Sequence, residues 1–429
     1  MLNTHKFSVW IAWLTAVFLI PFPFIYTYVN GLEAMFESQK LGVAYGIIAY
    51  VWMLLAIYIG TRPRWIDRYI GLPAAYMIHG ILSLVAILFS FFHKNMNPSF
   101  GLVQMTGNVA FMIFLSLALY STVFMAGWLT SRVPVLGKLK RSLETVFKHE
   151  VSVWLHRLNI LATFLIFVHV QLIDYIRANT SFMAVFWLTS VFVFGTYLYS
   201  KIKPTAKGYT SKLLSNRAIG DNIHELRIAL PSKKLAKSIR PGDFVFISFP
   251  SYKGLTEPHP FSAVNHPAED QGELVLAIRG DGDFTKGLQL VPAHAEVFVT
   301  AGYGMYQTVI DDQAPGKLIA ISGGIGITPI LSIIEGNQHI PTSVFYGAST
   351  PNNLLYQEKF AEWNKRDNFK SQLIIGPVPA ADVVADLPEN KKDVTVLISG
   401  PAVMARYWIK VLTKQGVPRG RIFYEEFGW

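Results

Sequence analysis

Four histidines lie within apolar stretches of the first half of the chain, where ionisable side chains are rare and usually functional. His79 and His93 are 14 residues apart in one stretch, and His156 and His169 are 13 apart in another. On helices, each interval spans roughly 20 Å along the axis. His79 can therefore face His156, and His93 can face His169. Because two facing imidazoles can supply both axial ligands of a heme iron, the spacing predicts two hemes stacked one above the other.

The two intervals differ in helical phase. Fourteen residues at about 100° each return to within roughly 40° of the starting face, whereas thirteen end about 140° away. The stretch that holds His156 and His169 must therefore twist, carry a bulge or place its ligands on different sides, and the sequence leaves these three open. His149, seven residues before His156, is an alternative ligand.

Two further motifs follow predicted strands in the second half. A turn-like tetrapeptide comes after the strand predicted at 244–250. Its residues are His259, Pro260, Phe261 and Ser262. Arg279 ends a second apolar strand, and its fixed fork of donors can clamp a diphosphate. Gly282 and Thr285 follow closely, so that backbone and hydroxyl groups can approach the same phosphates.

A glycine-rich turn joins the apolar strand at 317–322 to a helical stretch. The turn contains Gly323, Gly324, Gly326, Thr328 and Pro329. Glycines let the backbone approach a diphosphate, and the N-terminus of the next helix favours its negative charge. The order of strand, turn and helix therefore predicts a nucleotide site. Ser399, Gly400 and Pro401 follow another apolar strand, and the chain ends Glu425-Glu426-Phe427-Gly428-Trp429.

Together these motifs resemble the NADPH oxidase and ferric reductase superfamily. Its members join a ferric reductase-like transmembrane domain to an FAD- and NAD(P)H-binding module of the ferredoxin reductase type. The membrane part of the resemblance rests on His79-x13-His93, on His156-Arg-Leu-Asn-x9-His169 and on the segment Arg-Pro-Arg-Trp-Ile-Asp-Arg at 62–68. The resemblance implies that the four histidines are bis-axial ligands of two b-type hemes.

The resemblance also implies roles for the motifs in the second half of the chain. It implies that residues 259–262 lie against the flavin of FAD, with the Ser262 hydroxyl near the reactive nitrogen, and that Arg279, Gly282 and Thr285 hold the diphosphate. It implies that the turn at 323–329 holds NAD(P)H and that Ser399, where Cys is usual, lies by the nicotinamide with Gly400 and Pro401. The implied catalytic residues are Ser262, Ser399, Glu425 and Phe427.

Three details depart from the family pattern or stay open. Phe427 is expected to stack on the flavin, and Trp429 is the alternative. Residues 301–304 read Ala-Gly-Tyr-Gly, where Gly-Pro-aromatic-Gly is usual. Residues 348–350 read Ala-Ser-Thr, without the Arg that pairs with a 2′-phosphate in many NADPH users, so both NADPH and NADH remain open as electron donors.

The elements that must carry these residues follow from composition. Hydrophobic residues make up 52% of the 429 and charged residues only 15%, against about 25% charged in soluble proteins. Six stretches approach the roughly 20 apolar residues of a membrane span. They lie at about 7–29, 41–60, 73–93, 102–128, 151–173 and 182–202.

We therefore predict a six-helix transmembrane bundle, all-α, over residues 1–204. Strands predicted at 222–230, 244–250, 274–280 and 296–300 indicate an antiparallel β-barrel FAD domain at 205–311. Alternating strands and helices indicate an α/β doubly wound nucleotide-binding domain at 312–429. Its strands are predicted near 317–322, 343–347, 372–376, 394–399 and 421–425.

The net charge of +10 is explained by the positive-inside rule, without nucleic acid. Twelve basic residues lie on one side of the six spans: Lys6, Arg62, Arg64, Arg68, Arg132, Lys138, Lys140, Arg141, Lys148, Lys201, Lys203 and Lys207. Lys40, Lys94 and Arg177 lie on the other. Both termini are therefore expected in the cytoplasm, with the protein in the cell membrane. The chain has no cysteine, which excludes disulfides, zinc–thiolate sites and iron–sulfur clusters.

The resemblance implies electron transfer from cytosolic NAD(P)H, through FAD and two hemes, to an acceptor across the membrane. The preferred acceptor is O2, giving superoxide. The alternatives are ferric iron, another oxidant, or an extracytoplasmic protein. A non-enzymatic heme carrier is the rival from another class, but it has no use for the flavin and nucleotide motifs. No calcium loop of the Asp-x-Asp-x-Asp-Gly type is present, and we expect no obligate activating subunit.

Overall fold

A computed structural model describes residues 6–124, 154–202 and 208–425. Two compact units are distinguished, a helical one within 7–203 and a mixed α/β one within 204–426.

The helical unit consists of long apolar helices joined by short ones. In chain order these are α1 (Lys6–Leu14), a π-helical turn (Thr15–Leu19), α2 (Phe22–Asn30), a 3-10 turn (Ala34–Gln39), α3 (Lys40–Gly60), α4 (Arg64–Ile70), α5 (Leu72–Met96), α6 (Gly101–Phe124), α7 (Leu158–Gln171), α8 (Asp174–Ala178) and α9 (Thr180–Ile202).

Five stretches in the described residues are long and apolar enough to cross a membrane. They are Phe7–Asn30, Ala34–Gly60, Leu72–Met96, Gly101–Ser121 and Thr180–Ile202. They correspond to five of the six predicted spans. The stretch predicted at 151–173 yields α7, whose 14 residues fall short of the roughly 20 that a span needs. Residues 151–153 lie outside the described part, so the described residues support five members of the predicted six-helix bundle.

Small residues let these helices pack closely. α3 packs along α5, and α6 packs along α7. The buried core between them includes the alanines Ala74, Ala75, Ala86, Ala110 and Ala162. In membranes, where hydrocarbon tails compete with apolar side chains, small residues favour helix association by allowing close contact.

The first part of the α/β unit is a six-stranded antiparallel sheet. Its strands are β1 (Gly208–Gly220), β2 (Ile223–Ala229), β3 (Phe244–Ser248), β4 (His259–Ser262), β5 (Glu273–Arg279) and β6 (Glu296–Thr300), in the order β4-β3-β6-β1-β2-β5. A bridge between Ala263 and Leu276 brings the two edges of the sheet together. Two short helices, α10 (Lys233–Ser238) and α11 (Asp283–Leu288), connect the strands.

Two of these strands differ from the sequence prediction. The 13-residue β1 was not predicted, and its register on β2 shifts twice, between Leu213 and Ser215 and between Ala218 and Gly220. Such irregularities interrupt the strict alternation that marks a strand. The tetrapeptide 259–262, predicted to lie in a loop, is the edge strand β4 and pairs with β3. An edge strand tolerates proline because one side of its backbone needs no partner.

The second part is a parallel sheet between helices. Its strands are β7 (Lys317–Gly323), β8 (Thr342–Ala348), β9 (Phe369–Ile375), β10 (Val394–Ser399) and β11 (Ile422–Tyr424), in the order β11-β10-β7-β8-β9. The helices are α12 (Tyr306–Gln313), α13 (Ile327–Gly336), α14 (Gln357–Trp363), α15 (Ala380–Ala385) and α16 (Ala402–Lys414). The chain runs outward from β7 to β9 and returns at β10. The boundary between β7 and β10 is therefore the switch point, where open α/β sheets bind ligands.

A buried carboxylate ties the antiparallel sheet to the parallel one. The side chain of Glu225, on β2, is only 1% exposed and forms ion pairs with Arg217 and Arg227. The hydroxyl of Tyr356, next to α14, donates a hydrogen bond of 2.8 Å to its second oxygen. Burial alone would raise the pKa of Glu225, but the hydrogen bonds from Tyr356, Arg227 and Arg217 outweigh it and hold that pKa below its usual value.

We expect this carboxylate to make the unit acid-sensitive. A carboxyl whose pKa is lower in the folded state stabilises the fold above its unfolded pKa of about 4.3, and that contribution is lost as the pH falls through the folded value. The thermal midpoint of the α/β unit should therefore drop below about pH 4.3 in the wild type. The drop should be smaller in Glu225→Gln, which has no carboxyl there to titrate.

Tyr356→Phe should cost about 1–3 kcal/mol, because it removes a donor from a buried acceptor. Tyr407→Phe, at an exposed tyrosine of the same unit, is the matched control. Equal midpoints for Tyr356→Phe and Tyr407→Phe would show that the bond between Tyr356 and Glu225 contributes nothing.

Candidate functional site

The four histidines of the helical unit form two facing pairs, as predicted from their spacing. The first pair is His79 with His156, whose ring centroids are 5.9 Å apart. The second pair is His93 with His169, at 6.3 Å. A metal-bound imidazole nitrogen lies about 2 Å from its ion, which puts the ring centroids of two opposed axial ligands about 6 Å apart. Both separations therefore fit bis-histidine ligation of one iron.

Carbonyl groups of α3 fix the two rings on α5. Nδ1 of His79 lies 3.0 Å from the Ala56 oxygen, and Nδ1 of His93 lies 2.9 Å from the Gly42 oxygen. A carbonyl oxygen can only accept, so both Nδ1 atoms carry the proton. Nε2 is then left with its lone pair, as a metal ligand requires.

Groups of α6 hold the rings of His156 and His169, which face the two histidines of α5. Nδ1 of His169 lies 2.9 Å from the Val103 oxygen and 3.1 Å from the Thr106 hydroxyl. Nδ1 of His156 lies 3.0 Å from the Ser121 hydroxyl. Thr106 and Ser121 were not predicted as functional residues. The sequence gives little signal for them, because the same span also contains the polar residues Gln104, Asn108 and Ser116.

A break in the helix between His156 and His169 reduces the angular mismatch expected for an interval of 13 residues. Arg157 interrupts the helical stretch between His156 and α7. The amide of Arg157 bonds the Trp154 carbonyl, and the amide of Ile160 bonds the Arg157 carbonyl, both three residues back. Such 3-10 steps turn about 20° further per residue than α-helical steps. The break moves His156 toward the face of His169, and both rings meet the histidines of α5.

Metal-binding clusters of another kind do not occur in the described residues. Residues 6–124, 154–202 and 208–425 contain no group of three or more histidine, aspartate or glutamate side chains suited to a metal ion. A two-histidine set suits heme iron, because the porphyrin supplies the other four ligands. The alternative ligand His149 lies outside the described residues.

The residues predicted to hold the flavin lie on and beside the edge strand β4. The ring of His259 stacks on that of Phe284 with centroids 4.0 Å apart, and Phe261 lies 6.0 Å from the same ring. Phe284 belongs to α11. This contact joins the tetrapeptide 259–262, which includes Pro260 and Ser262, to the segment that holds the other predicted flavin residues.

The predicted diphosphate residues are neighbours in the fold. Arg279 ends β5 and forms an ion pair of 2.6 Å with Asp281. The amide of Gly282 donates to the Thr285 hydroxyl at 2.9 Å, and that hydroxyl donates to the Gly282 carbonyl. Asp281 was not predicted and is the present partner of the Arg279 guanidinium, which is 47% exposed.

The glycine-rich turn lies at the switch point of the parallel sheet. Gly323 ends β7, Gly324 has a positive φ of 56°, and Thr328 and Pro329 begin α13. A Cβ on Gly326 would lie 2.5 Å from the Ser399 carbonyl oxygen and 2.8 Å from the Gly400 nitrogen. The fold thus brings the turn at 323–329 into contact with Ser399 and Gly400, which precede Pro401. The two motifs, predicted separately, are therefore adjacent in the fold.

The predicted C-terminal residues are described only in part. Glu425 follows β11 and is 3% exposed. Tyr306, which the sequence did not single out, is fully buried and donates a hydrogen bond of 2.8 Å to the Ile398 carbonyl, directly before Ser399. Burial and the nearby Glu425 carboxylate raise the pKa of Tyr306, so its hydroxyl stays protonated. Phe427 and its alternative Trp429 lie outside the described residues.

The α/β unit is similar to known protein families. A family model described as an FAD-binding domain matches residues 209–405. The reductase component of propane 2-monooxygenase from Mycolicibacterium smegmatis is 27% identical over 209 residues, which cover 44% of this chain. The probable electron transfer subunit of dihydroorotate dehydrogenase B (NAD(+)) from Methanocaldococcus jannaschii is 25% identical over 184 residues, or 42% of this chain. The chain spans 59% of the length of the first relative and 65% of the second.

Solved structures give weaker similarity. A flavohemoglobin from Malassezia yamatoensis with bound FAD and heme aligns with a TM-score of 0.47 and 15% identity over 91% of this chain and 98% of that one. A ferredoxin NADP+ reductase from Neisseria gonorrhoeae with bound FAD and NADP aligns with a TM-score of 0.43 and 17% identity, over 51% of this chain and 98% of that one. Similarity at this level does not assign a function.

The family model and the curated relatives point to the same part of the chain. The α/β unit is similar to an FAD-binding domain and to flavin-dependent electron-transfer proteins such as reductase components. The described residues of the same chain also contain five candidate membrane spans.

Proposed function

We propose that this chain transfers electrons from NAD(P)H, through FAD and two b-type hemes, across the cell membrane to an acceptor on the far side. The observation that carries the proposal is the pair of facing imidazole sites, 5.9 and 6.3 Å between ring centroids. They occur in the same chain as a match to an FAD-binding domain. Two hemes would allow a module that oxidises NAD(P)H to pass its electrons on one at a time.

The flavin is needed in this scheme because nicotinamide delivers two electrons at once, whereas heme iron accepts one. We assign the flavin contacts to His259, Pro260, Phe261 and Ser262, and the diphosphate contacts to Arg279, Gly282 and Thr285. The support is their assembly around Phe284 and α11. Arg279 would exchange its pairing with Asp281 for the diphosphate.

We assign NAD(P)H to the switch point of the parallel sheet. Gly323, Gly324, Gly326, Thr328 and Pro329 would hold the diphosphate against the start of α13, and Ser399, Gly400 and Pro401 would lie by the nicotinamide. Gly326 supports this assignment because its Cα lies against the backbone of Ser399 and Gly400. We further propose that Phe427, preceded by Glu425, stacks on the flavin, with Trp429 as the alternative.

The four histidines would hold the iron. His79 and His156 would ligate a heme near the cytosolic face, and His93 and His169 one near the outer face. The protonated Nδ1 atoms of His79, His93 and His169 support this role, because they leave Nε2 of each ring free to bind. We retain six spans, both termini in the cytoplasm, and domains at 1–204, 205–311 and 312–429.

Our first choice of acceptor is O2, giving superoxide as in NADPH oxidases. The alternatives are a ferric chelate or other metal complex, and an extracytoplasmic protein or other oxidant. We propose no obligate activating subunit and no nucleic acid partner.

One experiment separates these acceptors. The full chain is purified in detergent, its spectrum recorded, and NADPH or NADH added with FAD while the heme bands and oxygen uptake are followed, with and without superoxide dismutase. Reduced b-type bands with a dismutase-sensitive product in the absence of iron support the oxidase. Hemes that discharge rapidly only when ferric chelate is added support a metal reductase. A chain that binds no heme after reconstitution refutes the transmembrane pathway and leaves the reductase module.

A further inference from the structure

The four histidine rings are not held alike. His79, His93 and His169 each place Nδ1 within 3.0 Å of a backbone carbonyl, and that carbonyl fixes the proton on Nδ1. His156 has different partners. Among the described residues its Nδ1 lies 3.0 Å from the Ser121 hydroxyl and 3.5 Å from the Asn159 amide nitrogen.

The Asn159 side chain does not replace the missing carbonyl. Its amide nitrogen donates a bond of 2.9 Å to the backbone oxygen of His156 itself. A group that donates cannot accept the ring proton. The Ser121 hydroxyl, by contrast, can either donate or accept. If Nε2 of His156 binds iron, Nδ1 must be protonated, and Ser121 is then its acceptor among the described residues.

We propose that Ser121 is the positioning residue of His156, and that its hydroxyl, a weaker acceptor than a carbonyl, leaves the reduction potential of the first-pair heme above that of the second-pair heme. The inference rests on the proposed function. A carbonyl is a stronger acceptor than a hydroxyl, so an imidazole bonded to a carbonyl donates more electron density to iron and stabilises its ferric form. The first pair has one ring on a carbonyl and one on a hydroxyl. The second pair has both rings on carbonyls.

A hydroxyl also lies beside the second pair, so the roles of Thr106 and Ser121 can be compared within the same protein. The Thr106 hydroxyl lies 3.1 Å from Nδ1 of His169, but the Val103 carbonyl lies closer, at 2.9 Å. Thr106 donates its own proton to the Leu102 carbonyl at 2.7 Å. Removal of Thr106 therefore leaves His169 with its stronger acceptor, whereas removal of Ser121 leaves His156 with no acceptor among the described residues.

The test is a potentiometric titration of the heme bands in the purified full chain. The wild type should show two b-type components. In Ser121→Ala, the component of the first pair should move to a more positive potential, by up to about tenfold in its reduction equilibrium, which is about 59 mV for one electron. The other component should stay in place. His93→Ala, which is expected to keep only the first-pair heme, identifies the component that moves.

Three variants make the result specific. Ser121→Thr keeps the hydroxyl and should restore both potentials, and Thr106→Val should move neither by a comparable amount. Ser116→Ala is the matched control, because Ser116 lies on the exposed side of the same helix. The low-spin ferric resonance of one heme should change in Ser121→Ala and not in Ser116→Ala. If Ser121→Ala retains only one heme, Ser121→Cys, a weaker acceptor of similar size, is titrated instead.

Two outcomes overturn the inference. One is identical potentials in Ser121→Ala and Ser116→Ala, and the other is an equal shift of both hemes, which would indicate a general loosening of α6. A wild-type chain that binds no heme refutes the proposed function and this inference with it. If the chain binds two hemes and their potentials are the same in the wild type and in Ser121→Ala, only this inference is refuted.

Discussion

Replacement of His93 by Ala is expected to lower the heme content from two per chain to one and to abolish reduction of the external acceptor. The remaining heme, held by His79 and His156, should still be reduced by NAD(P)H. Replacement of His79 should also remove one heme, but the remaining second-pair heme should then stay oxidised under NAD(P)H, because its electron donor is missing. Heme is measured as the pyridine complex, and reduction from the absorbance bands after anaerobic addition of NAD(P)H.

The contrast between the two variants tests the order of the pathway as well as the ligands. His339→Ala is the matched control, because His339 is exposed in the α/β unit, and it should retain both hemes and full activity. Dithionite should reduce the heme of His79→Ala, which distinguishes a missing donor from a damaged site. Full heme content in both variants would exclude these histidines as ligands.

A methyl group at Gly326 is expected to lower the NAD(P)H-dependent rate by about 10²-fold, the order of loss found when reacting groups are displaced by about 1 Å. The added Cβ would lie 2.5 Å from the Ser399 carbonyl oxygen and 2.7 Å from its carbon. Both belong to the backbone, which cannot turn aside as a side chain can. Either the turn or the segment after β10 must shift, and both belong to the proposed nicotinamide site. The measurement is kcat/KM for NADPH and NADH with Gly326→Ala.

Gly420→Ala supplies the comparison for this variant. A Cβ on Gly420 meets nothing within 4 Å, and the residue lies in the same parallel-sheet part of the chain. FAD content and the dithionite-reduced heme spectrum should be normal in both variants, so that a slow rate in Gly326→Ala reports on the nucleotide step. An unchanged kcat/KM in Gly326→Ala would place the dinucleotide elsewhere.

The pairing of the histidines was predictable because it depends on one number, the rise per residue of a helix. Intervals of 13 and 14 residues place two rings at matching heights on two parallel helices, and both pairs were found. The angular position was not predictable. The angular position depends on a helix break at Arg157, and that position has no glycine or proline from which the break could be predicted.

The acceptors of the ring protons could not be read from the sequence for a different reason. Ala56, Gly42 and Val103 act through backbone carbonyls, which every residue type offers. Their selection depends on how α3 and α6 are placed along the histidine helices. A side-chain hydroxyl such as that of Ser121 is visible in the sequence, but its partner is 35 residues away.

In the α/β unit, the motifs supplied the candidate site residues, whereas two of the strands around them were not predicted. Gly323–Gly326 and Ser399 were predicted from local context, since a glycine-rich turn between a strand and a helix has a recognisable form. β1 was missed because its register shifts break the alternation. β4 was missed because its proline is typical of turns, and its edge position, which makes the proline harmless, depends on the whole sheet.

The glycines beside the second pair bear on how the protein is assembled. A Cβ on Gly46 would lie 2.7 Å from Nδ1 of His93, and the carbonyl of Gly42 one turn earlier holds that same nitrogen. Helix α3, which has no histidine, thus supplies both the flat surface under the ring and the atom that orients it. A slip of α3 by one residue along α5 would move that surface by about 1.5 Å and turn it by about 100°. The proposed heme site of the second pair therefore requires α3 and α5 to pack in register, and heme bound there would report that these two helices are correctly paired.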